Sequence, residues 1–254
     1  MFDMTGKVVL TTGSSRGIGR AIAQRMAEAG ARVVISSRKG EACREVAQAI
    51  NASGGTAIAH AANISDRGAL QSLVDRTIAE WGRIDVLVCN AAVNPYFGPL
   101  LEIGDEAFDK IMASNVRSNL WLCAMVMPAM AEHKDGAVIV ISSIAGLKGN
   151  TMLGAYGISK AAGFQLVRNL AAEWGPHNVR VNAIAPAIIR TDFARALWEN
   201  PERYAKAVAN YPLRRIGEPD DVAGAAIFLG SRAGAFVTGH VLVVDGGVSI
   251  VGPE

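Results

Sequence analysis

Tyr156 and Lys160, four residues apart in a predicted helix, are the two residues of this sequence best suited to proton transfer. Residues four apart share one face of a helix. A phenol has an ordinary pKa of about 10, but a neighbouring ammonium group favours the phenolate and lowers that pKa. The pair could therefore exchange a proton with an alcohol or a carbonyl oxygen. The alternative is plain packing, with the lysine stem along an apolar surface.

Other polar residues follow predicted strands or interrupt a predicted helix. Ser142 and Ser143 end the predicted fifth strand, and Asn90 follows the fourth. Open parallel sheets bind their ligands at the carboxyl ends of the strands, so a serine there could hydrogen-bond a substrate oxygen. Asn115 is unfavourable in a helix interior, which indicates a role such as holding a water that links Lys160 to solvent; the alternative is a solvated side chain.

A glycine-rich segment, residues 12–19, lies between the first predicted strand and the first predicted helix. Glycines allow a tight turn and let backbone N–H groups approach a pyrophosphate, while the helix N-terminus adds a partial positive charge. An ordinary turn could share this composition. The strand–loop–helix setting favours a dinucleotide site, although the spacing GxxxGxG differs from GxGxxG.

The end of the second strand bears on the choice of nicotinamide cofactor. No acidic residue occurs between residues 31 and 40, where an NAD site of this type usually places one. Arg38, with Ser37 beside it and Arg16 in the glycine loop, could instead bind a 2′-phosphate. The sequence therefore favours NADP(H), with NAD(H) as the alternative if both arginines are merely solvated.

The elements that must position these residues alternate along the chain, which indicates parallel pairing with right-handed crossovers. The pattern predicts an α/β fold: a Rossmann-type, doubly wound parallel sheet of about seven strands with helices on both faces, in a single domain over residues 1–254. The predicted strands are 7–12, 32–36, 56–60, 84–89, 137–142, 179–185 and 241–245. The predicted helices are 17–30, 41–52, 66–81, 105–134, 152–174, 192–210 in pieces, and 220–230.

Composition argues against several classes of protein. The 25 basic and 23 acidic residues nearly cancel, so charge gives no indication of a nucleic-acid or membrane partner. Cys43, Cys89 and Cys123 form no metal-ligand pattern or disulfide framework, and we expect no metal. Without a signal-peptide pattern or an apolar run of membrane-spanning length, a cytoplasmic location is expected.

Together these motifs resemble the short-chain dehydrogenase/reductase superfamily over residues 6–247. The resemblance implies a catalytic tetrad of Asn115, Ser143, Tyr156 and Lys160. With the arginines above, the expected cofactor contacts are Gly13, Ser15, Arg16, Gly17, Ile18, Gly19, Ser37, Arg38, Asn63, Ile64, Asn90, Ala91, Tyr156, Lys160, Pro186, Ile189 and Thr191. Ala92 and Ala187 stand where the family usually has glycine, which questions the local loop geometry.

The segments 36–39, 89–98 and 212–219 look like the NADPH-dependent carbonyl and retinol reductase group. The superfamily also implies a homotetramer that pairs the helices containing Asn115 and Tyr156. The expected interface residues are Trp121, Leu122, Phe164 and Leu166.

A segment rich in aromatic residues, 191–211, is predicted to form a lid over the active site. The expected lid contacts are Phe193, Leu197, Trp198, Tyr204 and Tyr211, and the other expected walls are Tyr96, Phe97, Leu147, Met152 and Leu153. The alternative for each is a core or subunit contact. An apolar pocket indicates an apolar or aromatic ketone, aldehyde or secondary alcohol as substrate. The alternatives are a 3-oxoacyl-thioester reductase of lipid metabolism and a dinucleotide-sensing protein without turnover.

Overall fold

The computed structural model describes residues 1–252, apart from the side chains of residues 196 and 203. In this part of the chain seven strands pair in parallel, in the order β3-β2-β1-β4-β5-β6-β7. They are β1 Val8–Thr12, β2 Arg32–Ser36, β3 Thr56–Ala59, β4 Val86–Cys89, β5 Gly136–Ile141, β6 Val179–Pro186 and β7 Val241–Val244. Residues 253 and 254, predicted to belong to the same domain, lie outside the described residues.

Helices connect the strands and cover both faces of the sheet. They are α1 Gly17–Glu28, α2 Gly40–Ala52, α3 Arg67–Trp81, α4 Asp105–Met112, α5 Ser118–Glu132, α6 Gly154–Trp174, α7 Arg195–Trp198, α8 Pro201–Ala209 and α9 Pro219–Gly230. Buried residues of α1, α2 and α9 form one apolar cluster with the sheet, and those of α3, α5 and α6 form another. The predicted fold class is therefore confirmed.

The strands show why the sheet needs two covering layers. Along β1, Val9 packs into one cluster and Leu10 into the other, and both side chains are fully buried. Every residue of β1, β4 and β5 is buried, as expected for a parallel sheet between two helical layers. The chain reverses its direction of winding between β1 and β4, which opens a crevice at their carboxyl ends.

Two details differ from the sequence expectations. Leu122 and Phe164, predicted at a subunit interface, are buried in the core of the chain itself, because their helix faces turn toward the sheet. The predicted long helical region 105–134 contains a π-helical turn, Ala113–Arg117, between α4 and α5. Of the helices the structure describes, none combines the length and apolar character needed to cross a membrane.

Candidate active site

The glycine loop between β1 and α1 is shaped so that side chains would block it. Gly13 and Gly17 have φ values of +65° and +55°, in the left-handed region. A Cβ on Gly19 would lie 2.4 Å from Nδ2 of Asn90 and 2.6 Å from the carbonyl oxygen of Gly13. Gly19 is therefore required for the close approach of α1 to the loop and to Asn90.

Asn90, just after β4, holds the glycine loop in place. Its Nδ2 donates to the carbonyl oxygens of Thr12 at 2.9 Å and Gly13 at 3.2 Å. Oγ1 of Thr12 in turn accepts from the backbone N–H groups of Asn90 and Ala91, at 3.1 and 3.2 Å. The sequence analysis placed Thr12 in the glycine-rich segment but did not predict this bonding role for its hydroxyl. These bonds place Asn90 and Ala91 beside the loop at the crevice.

The first turn of α1 fits a dinucleotide pyrophosphate. Arg16 is the N-cap residue and its side chain makes no capping hydrogen bond, and the first turn of α1, which the structure describes in full, carries no acidic residue. The N–H groups that begin the helix are thus left for an anion, which the helix dipole favours. With the glycines around them, these groups form a cradle that added Cβ atoms would fill.

The residues at the end of β2 lie at the surface beside this cradle. Arg38 is exposed, and Ser37 is half-buried, with its hydroxyl accepting from the Lys39 N–H at 3.3 Å. The Arg16 guanidinium is 72% exposed and lies 3.6 Å from the Asp192 carboxylate. Both arginines can therefore reach a phosphate without losing a buried partner.

At the end of β3 the chain turns back toward α3. Oδ1 of Asn63 accepts from the Ser65 N–H at 3.2 Å within this turn. Asn63 is exposed and Ile64 is half-buried, so both can contact a ligand at the rim of the crevice.

Ser143, Tyr156 and Lys160 meet at the carboxyl end of β5. The Lys160 ammonium donates to the carbonyl oxygen of Ile141 at 3.0 Å and lies 5.3 Å from the ring centroid of Tyr156. Burial lowers the pKa of Lys160 to about 8. Burial also raises the pKa of Tyr156 to about 12, although a hydrogen bond with the Ser143 hydroxyl acts in the opposite direction. Desolvation thus acts against the lowering of the tyrosine pKa that the sequence predicts from Lys160 and a bound oxidised cofactor.

Close backbone packing fixes the start of α6 against the end of β5. A Cβ on Gly157 would lie 2.8 Å from the carbonyl oxygen of Ala145. The Ser142 hydroxyl donates to the carbonyl oxygen of Lys160 at 2.9 Å. Ser142 thus anchors the helix, while Ser143 is the serine whose hydroxyl reaches Tyr156. Ser142 and Ser143, adjacent in the sequence, therefore have different roles in the structure.

Asn115 lies in the π-helical turn and is buried. Its Oδ1 accepts from the Val93 N–H at 2.9 Å, and its Nδ2 donates to the Val93 carbonyl oxygen at 3.0 Å and to the Ser159 hydroxyl at 3.1 Å. Ser159 donates to the carbonyl oxygen of Tyr156 at 2.7 Å. Asn115 therefore connects the segment after β4 to the helix that carries Tyr156. Sequence reasoning missed Val93 and Ser159, since neither has a recognisable spacing signal.

The segment after β6 faces the glycine loop. Ile189 is buried and pairs with Gly217, and the Thr191 side chain would lie 3.1 Å from a Cβ on Gly17. Pro186 ends β6, and neither Ala187 nor Ala92 takes a positive φ. The two alanines are therefore accommodated without the backbone strain that the sequence suggested.

Some predicted lid contacts have other partners. Tyr211 is buried, and its hydroxyl accepts from the Ile188 N–H at 3.2 Å. The Arg190 guanidinium lies 5.2 Å from the Trp198 ring and 5.6 Å from the Tyr204 ring. Tyr211 is therefore held against the segment after β6, and the other two rings pack on Arg190. Phe193 differs, since its ring centroid lies 6.3 Å from that of Tyr156.

Comparison with known proteins places this geometry in a family. A family model described as enoyl-(acyl carrier protein) reductase matches residues 13–249. The chain is 40% identical over 248 residues to dehydrogenase/reductase SDR family member 4 of Bos taurus, covering 96% of this chain and 88% of that protein. It is 36% identical over 250 residues to the protein of the same name in Caenorhabditis elegans, covering 96% and 95%.

Solved structures give the same result. A 7α-hydroxysteroid dehydrogenase complexed with NADH and 7-oxo glycochenodeoxycholic acid has a TM-score of 0.93 and 37% identity, over 97% of this chain and 95% of that one. A protein assigned as an NAD(P)-dependent gluconate 5-dehydrogenase from Beutenbergia cavernae, with NADP bound at low occupancy, has a TM-score of 0.92 and 35% identity, over 98% and 99%. The chain therefore belongs to the short-chain dehydrogenase/reductase superfamily and is an oxidoreductase that uses a nicotinamide cofactor.

Proposed function

We propose that the protein interconverts an apolar or aromatic ketone or aldehyde with the corresponding alcohol, and that it prefers NADP(H) to NAD(H). The observation that carries this proposal is the meeting of Ser143, Tyr156 and Lys160 beside a cradle suited to a dinucleotide. The structures of relatives with NADP and with NADH support a nicotinamide cofactor of either kind. The exposed arginine at the end of β2, Arg38, favours the phosphorylated one.

The cofactor would be held from the glycine loop to the segment after β6. Its pyrophosphate would lie on the N–H groups that begin α1, and its ribose phosphate beside Ser37, Arg38 and Arg16. The other residues proposed to contact it are Gly13, Ser15, Gly17, Ile18, Gly19, Asn63, Ile64, Asn90, Ala91, Tyr156, Lys160, Pro186, Ile189 and Thr191. When bound, the nicotinamide supplies or accepts the hydride.

The chain's own catalytic residues deal with the proton and the substrate oxygen. With a pKa of about 12, Tyr156 stays protonated at neutral pH and is suited to donate a proton to a carbonyl oxygen. The Ser143 hydroxyl would hydrogen-bond the same oxygen and orient it. Lys160 is charged below about pH 8 and would stabilise the tyrosinate left after transfer. Asn115 completes the proposed tetrad by positioning the helix turn around Tyr156.

One exposed apolar side chain lies beside Tyr156, and other residues predicted to line the pocket are also exposed. Phe193 tilts over Tyr156 and is 60% exposed, while Phe97, Leu147 and Leu197 are also exposed. Exposed apolar side chains near polar catalytic groups are typical of a binding surface. They support an apolar substrate and a lid over residues 191–211.

A second candidate is a 3-oxoacyl-thioester reductase of lipid metabolism. The match to a family described as an acyl-carrier-protein reductase supports thioester substrates. A dinucleotide sensor without turnover has less support, since such a protein would not need the serine, tyrosine and lysine to meet.

One assay separates these functions. Oxidation of NADPH and of NADH by the purified protein is followed with aromatic and aliphatic ketones, aldehydes and 3-oxoacyl thioesters, with Tyr156→Phe as the control. We expect the highest kcat/KM with an aromatic or apolar carbonyl compound and NADPH. A clear preference for the thioesters would select the second candidate, and no turnover of any substrate would contradict both.

We also propose a cytoplasmic homotetramer. Phe236 is fully exposed, and Val243 is exposed on the edge strand β7, which supports association of copies through this edge. Three free, buried cysteines are compatible with a reducing compartment. Light scattering coupled to gel filtration tests the first point, and cell fractionation tests the second.

A further inference from the structure

Two polar side chains are buried directly after the π-helical turn that carries Asn115. They belong to Ser118 and Asn119, the first two residues of α5. Neither is among the residues proposed to contact the cofactor or the substrate. Serine and asparagine are unfavourable in a helix interior, and burying their polar groups is costly unless these are hydrogen-bonded. Their burial at this point therefore indicates a specific hydrogen-bonding role.

The π-helical turn changes the donors that its backbone carbonyl groups receive. The Ser118 N–H donates to the carbonyl oxygen of Ala113, five residues back, whereas in a regular α-helix it would donate to Ser114. The Ser118 hydroxyl takes the place of this N–H, since it donates to the carbonyl oxygen of Ser114 at 2.6 Å. Similarly, Nδ2 of Asn119 donates to the carbonyl oxygen of Asn115 at 2.9 Å. Side chains thus supply donors to two buried carbonyl groups within the turn.

The shape of this turn decides where the Asn115 side chain points. A return to regular α-helix would rotate the residues before the turn against those after it by roughly 100°, the rotation per residue of an α-helix. As it stands, the Asn115 side chain reaches Val93 and Ser159, and Ser159 donates to the carbonyl oxygen of Tyr156. Buried carbonyl groups without donors are costly. Loss of the two side-chain donors would therefore favour the regular helix and turn Asn115 away from these partners.

We propose that Ser118 and Asn119 are positioning residues for catalysis. Their side chains stabilise the π-helical turn and so keep Asn115 directed at the segment after β4 and at the helix turn around Tyr156. Both act through Asn115 rather than on the substrate. The inference rests on the proposed reduction of a carbonyl group by the tetrad, and it applies equally to ketones and to 3-oxoacyl thioesters.

The kinetic test uses the double variant Ser118→Ala/Asn119→Leu, in which apolar side chains replace both donors. We expect kcat to fall about a hundredfold, because small misplacements of catalytic groups have effects of this size. The Kd of NADPH should stay nearly unchanged. The rescue variant Ser118→Thr/Asn119→Thr should keep most of kcat, since a threonine hydroxyl can bond the carbonyl group four residues back. Thr77→Val is the matched control: the buried Thr77 hydroxyl forms the same kind of bond in α3, to the carbonyl oxygen of Leu73 at 2.8 Å, and its loss should leave kcat unchanged.

Hydrogen exchange of the Val93 N–H tests the positioning directly and requires no substrate. This N–H donates to Oδ1 of Asn115 at 2.9 Å, so it is protected as long as Asn115 faces Val93. In the double variant we expect its exchange, measured by NMR, to become about tenfold faster relative to the Leu10 N–H. Leu10 is fully buried in the central strand β1, and its exchange reports any change in global stability.

Three results would overturn the inference: unchanged exchange of the Val93 N–H in the double variant, unchanged kcat in that variant, or an equal loss of kcat in Thr77→Val. If the double variant does not fold, Ser118→Ala and Asn119→Leu are measured singly, each with an expected loss of about tenfold in kcat. If the unmodified protein reduces no carbonyl compound, the proposed function fails. Faster exchange at Val93 would in that case still support the positioning of Asn115, and unchanged exchange would contradict it.

Discussion

The side chain of Asn115 forms two hydrogen bonds with the backbone of Val93, accepting from its N–H at 2.9 Å and donating to its carbonyl at 3.0 Å. An asparagine amide can replace a neighbouring strand in this way, because it presents an acceptor and a donor side by side. The π-helical turn directs Asn115 to this task, as such turns often do at functional sites. The segment after β4 is therefore held by a side chain at the point where it borders the crevice.

Replacing Asn115 should lower both stability and activity. In Asn115→Ala the buried polar groups of Val93 lose their partners, at a cost of about 1–3 kcal/mol. Turnover should also fall, because the connection to Ser159 and Tyr156 is lost. Asn51 is a matched control, since it forms the same pair of hydrogen bonds with Ala57, at 2.7 and 3.0 Å, far from the site. Asn51→Ala should lower the free energy of unfolding without changing kcat/KM. Equal kinetic effects of the two variants would contradict a positioning role for Asn115.

Removing the hydroxyl of Tyr156 should abolish most turnover and leave the cofactor bound. General acid–base catalysis contributes a factor of about 10²–10⁴, so kcat of Tyr156→Phe should fall at least about a hundredfold. Binding of NADPH, measured by fluorescence titration, should change little. Steady-state and single-turnover kinetics together show whether chemistry limits the rate. A variant that keeps most of its turnover under that condition would exclude Tyr156 as the proton donor.

The sheet and the glycine loop could be predicted from the sequence, whereas several details of the site could not. The alternation of strands and helices predicted the parallel sheet, and the glycines predicted a tight turn, where Gly13 and Gly17 take positive φ values. Periodicity could not reveal the π-helical turn at Asn115, because one extra residue in a helix leaves no mark on residue types. The desolvation that raises the pKa of Tyr156 could not be predicted from residue spacing, because it depends on three-dimensional burial. Likewise, the aromatic residues after β6 gave no hint that two of them pack on Arg190.

Lys160 should lower the stability of the fold at neutral pH. Burial lowers its pKa from 10.5 to about 8, which costs the folded protein about 3 kcal/mol at every pH below 8. Lys160→Met removes this cost but also loses the hydrogen bond to Ile141, so we expect a net gain of about 2 kcal/mol at pH 7. Between pH 8 and 10.5 the unfolded protein binds more protons than the folded one. The free energy of unfolding of the unmodified protein therefore rises in this pH range. The stability gained by Lys160→Met becomes smaller by the same amount.

Urea unfolding of both proteins at pH 7 and pH 10 measures this dependence. Lys148→Met, at an exposed lysine, is the control and should show no such change. A gain that is the same at both pH values would mean that the ammonium is not destabilised by burial.

Phe193 should contribute to binding large substrates. Its ring lies beside Tyr156 and is 60% exposed, so truncation removes an apolar contact without emptying the core. In Phe193→Ala, KM for a bulky aromatic ketone should rise severalfold more than KM for acetone. Trp198→Ala is the comparison, since this ring packs on Arg190 and donates to the carbonyl oxygen of Thr191 at 3.1 Å. Trp198→Ala should change KM for the two substrates by the same factor. If Phe193→Ala also changed both KM values equally, the Phe193 ring would lie outside the pocket.

Cofactor preference should depend on Arg38 more than on any other side chain. Arg38 is exposed at the end of β2 and, among the residues that the structure describes, has no ion-pair partner, so its guanidinium is free for a 2′-phosphate. Arg16 already lies 3.6 Å from Asp192, and its contribution should be smaller. A charge-assisted hydrogen bond changes affinity roughly tenfold to a hundredfold, so NADPH should bind more tightly than NADH by about that factor.

Arg38→Ala should remove most of this difference by weakening NADPH binding, and Ser37→Asp should reverse it, because a carboxylate repels the phosphate and accepts from the ribose hydroxyls. Arg32→Ala, at the opposite end of the same strand, is the matched control and should change neither Kd. The preference should also decrease as salt is raised from 0.05 to roughly 0.5 M, since exposed charges are screened within about one Debye length. Calorimetric titration of both cofactors into the four proteins measures these differences. Equal or tighter binding of NADH by the unmodified protein would show that Arg38 is only a solvated surface residue.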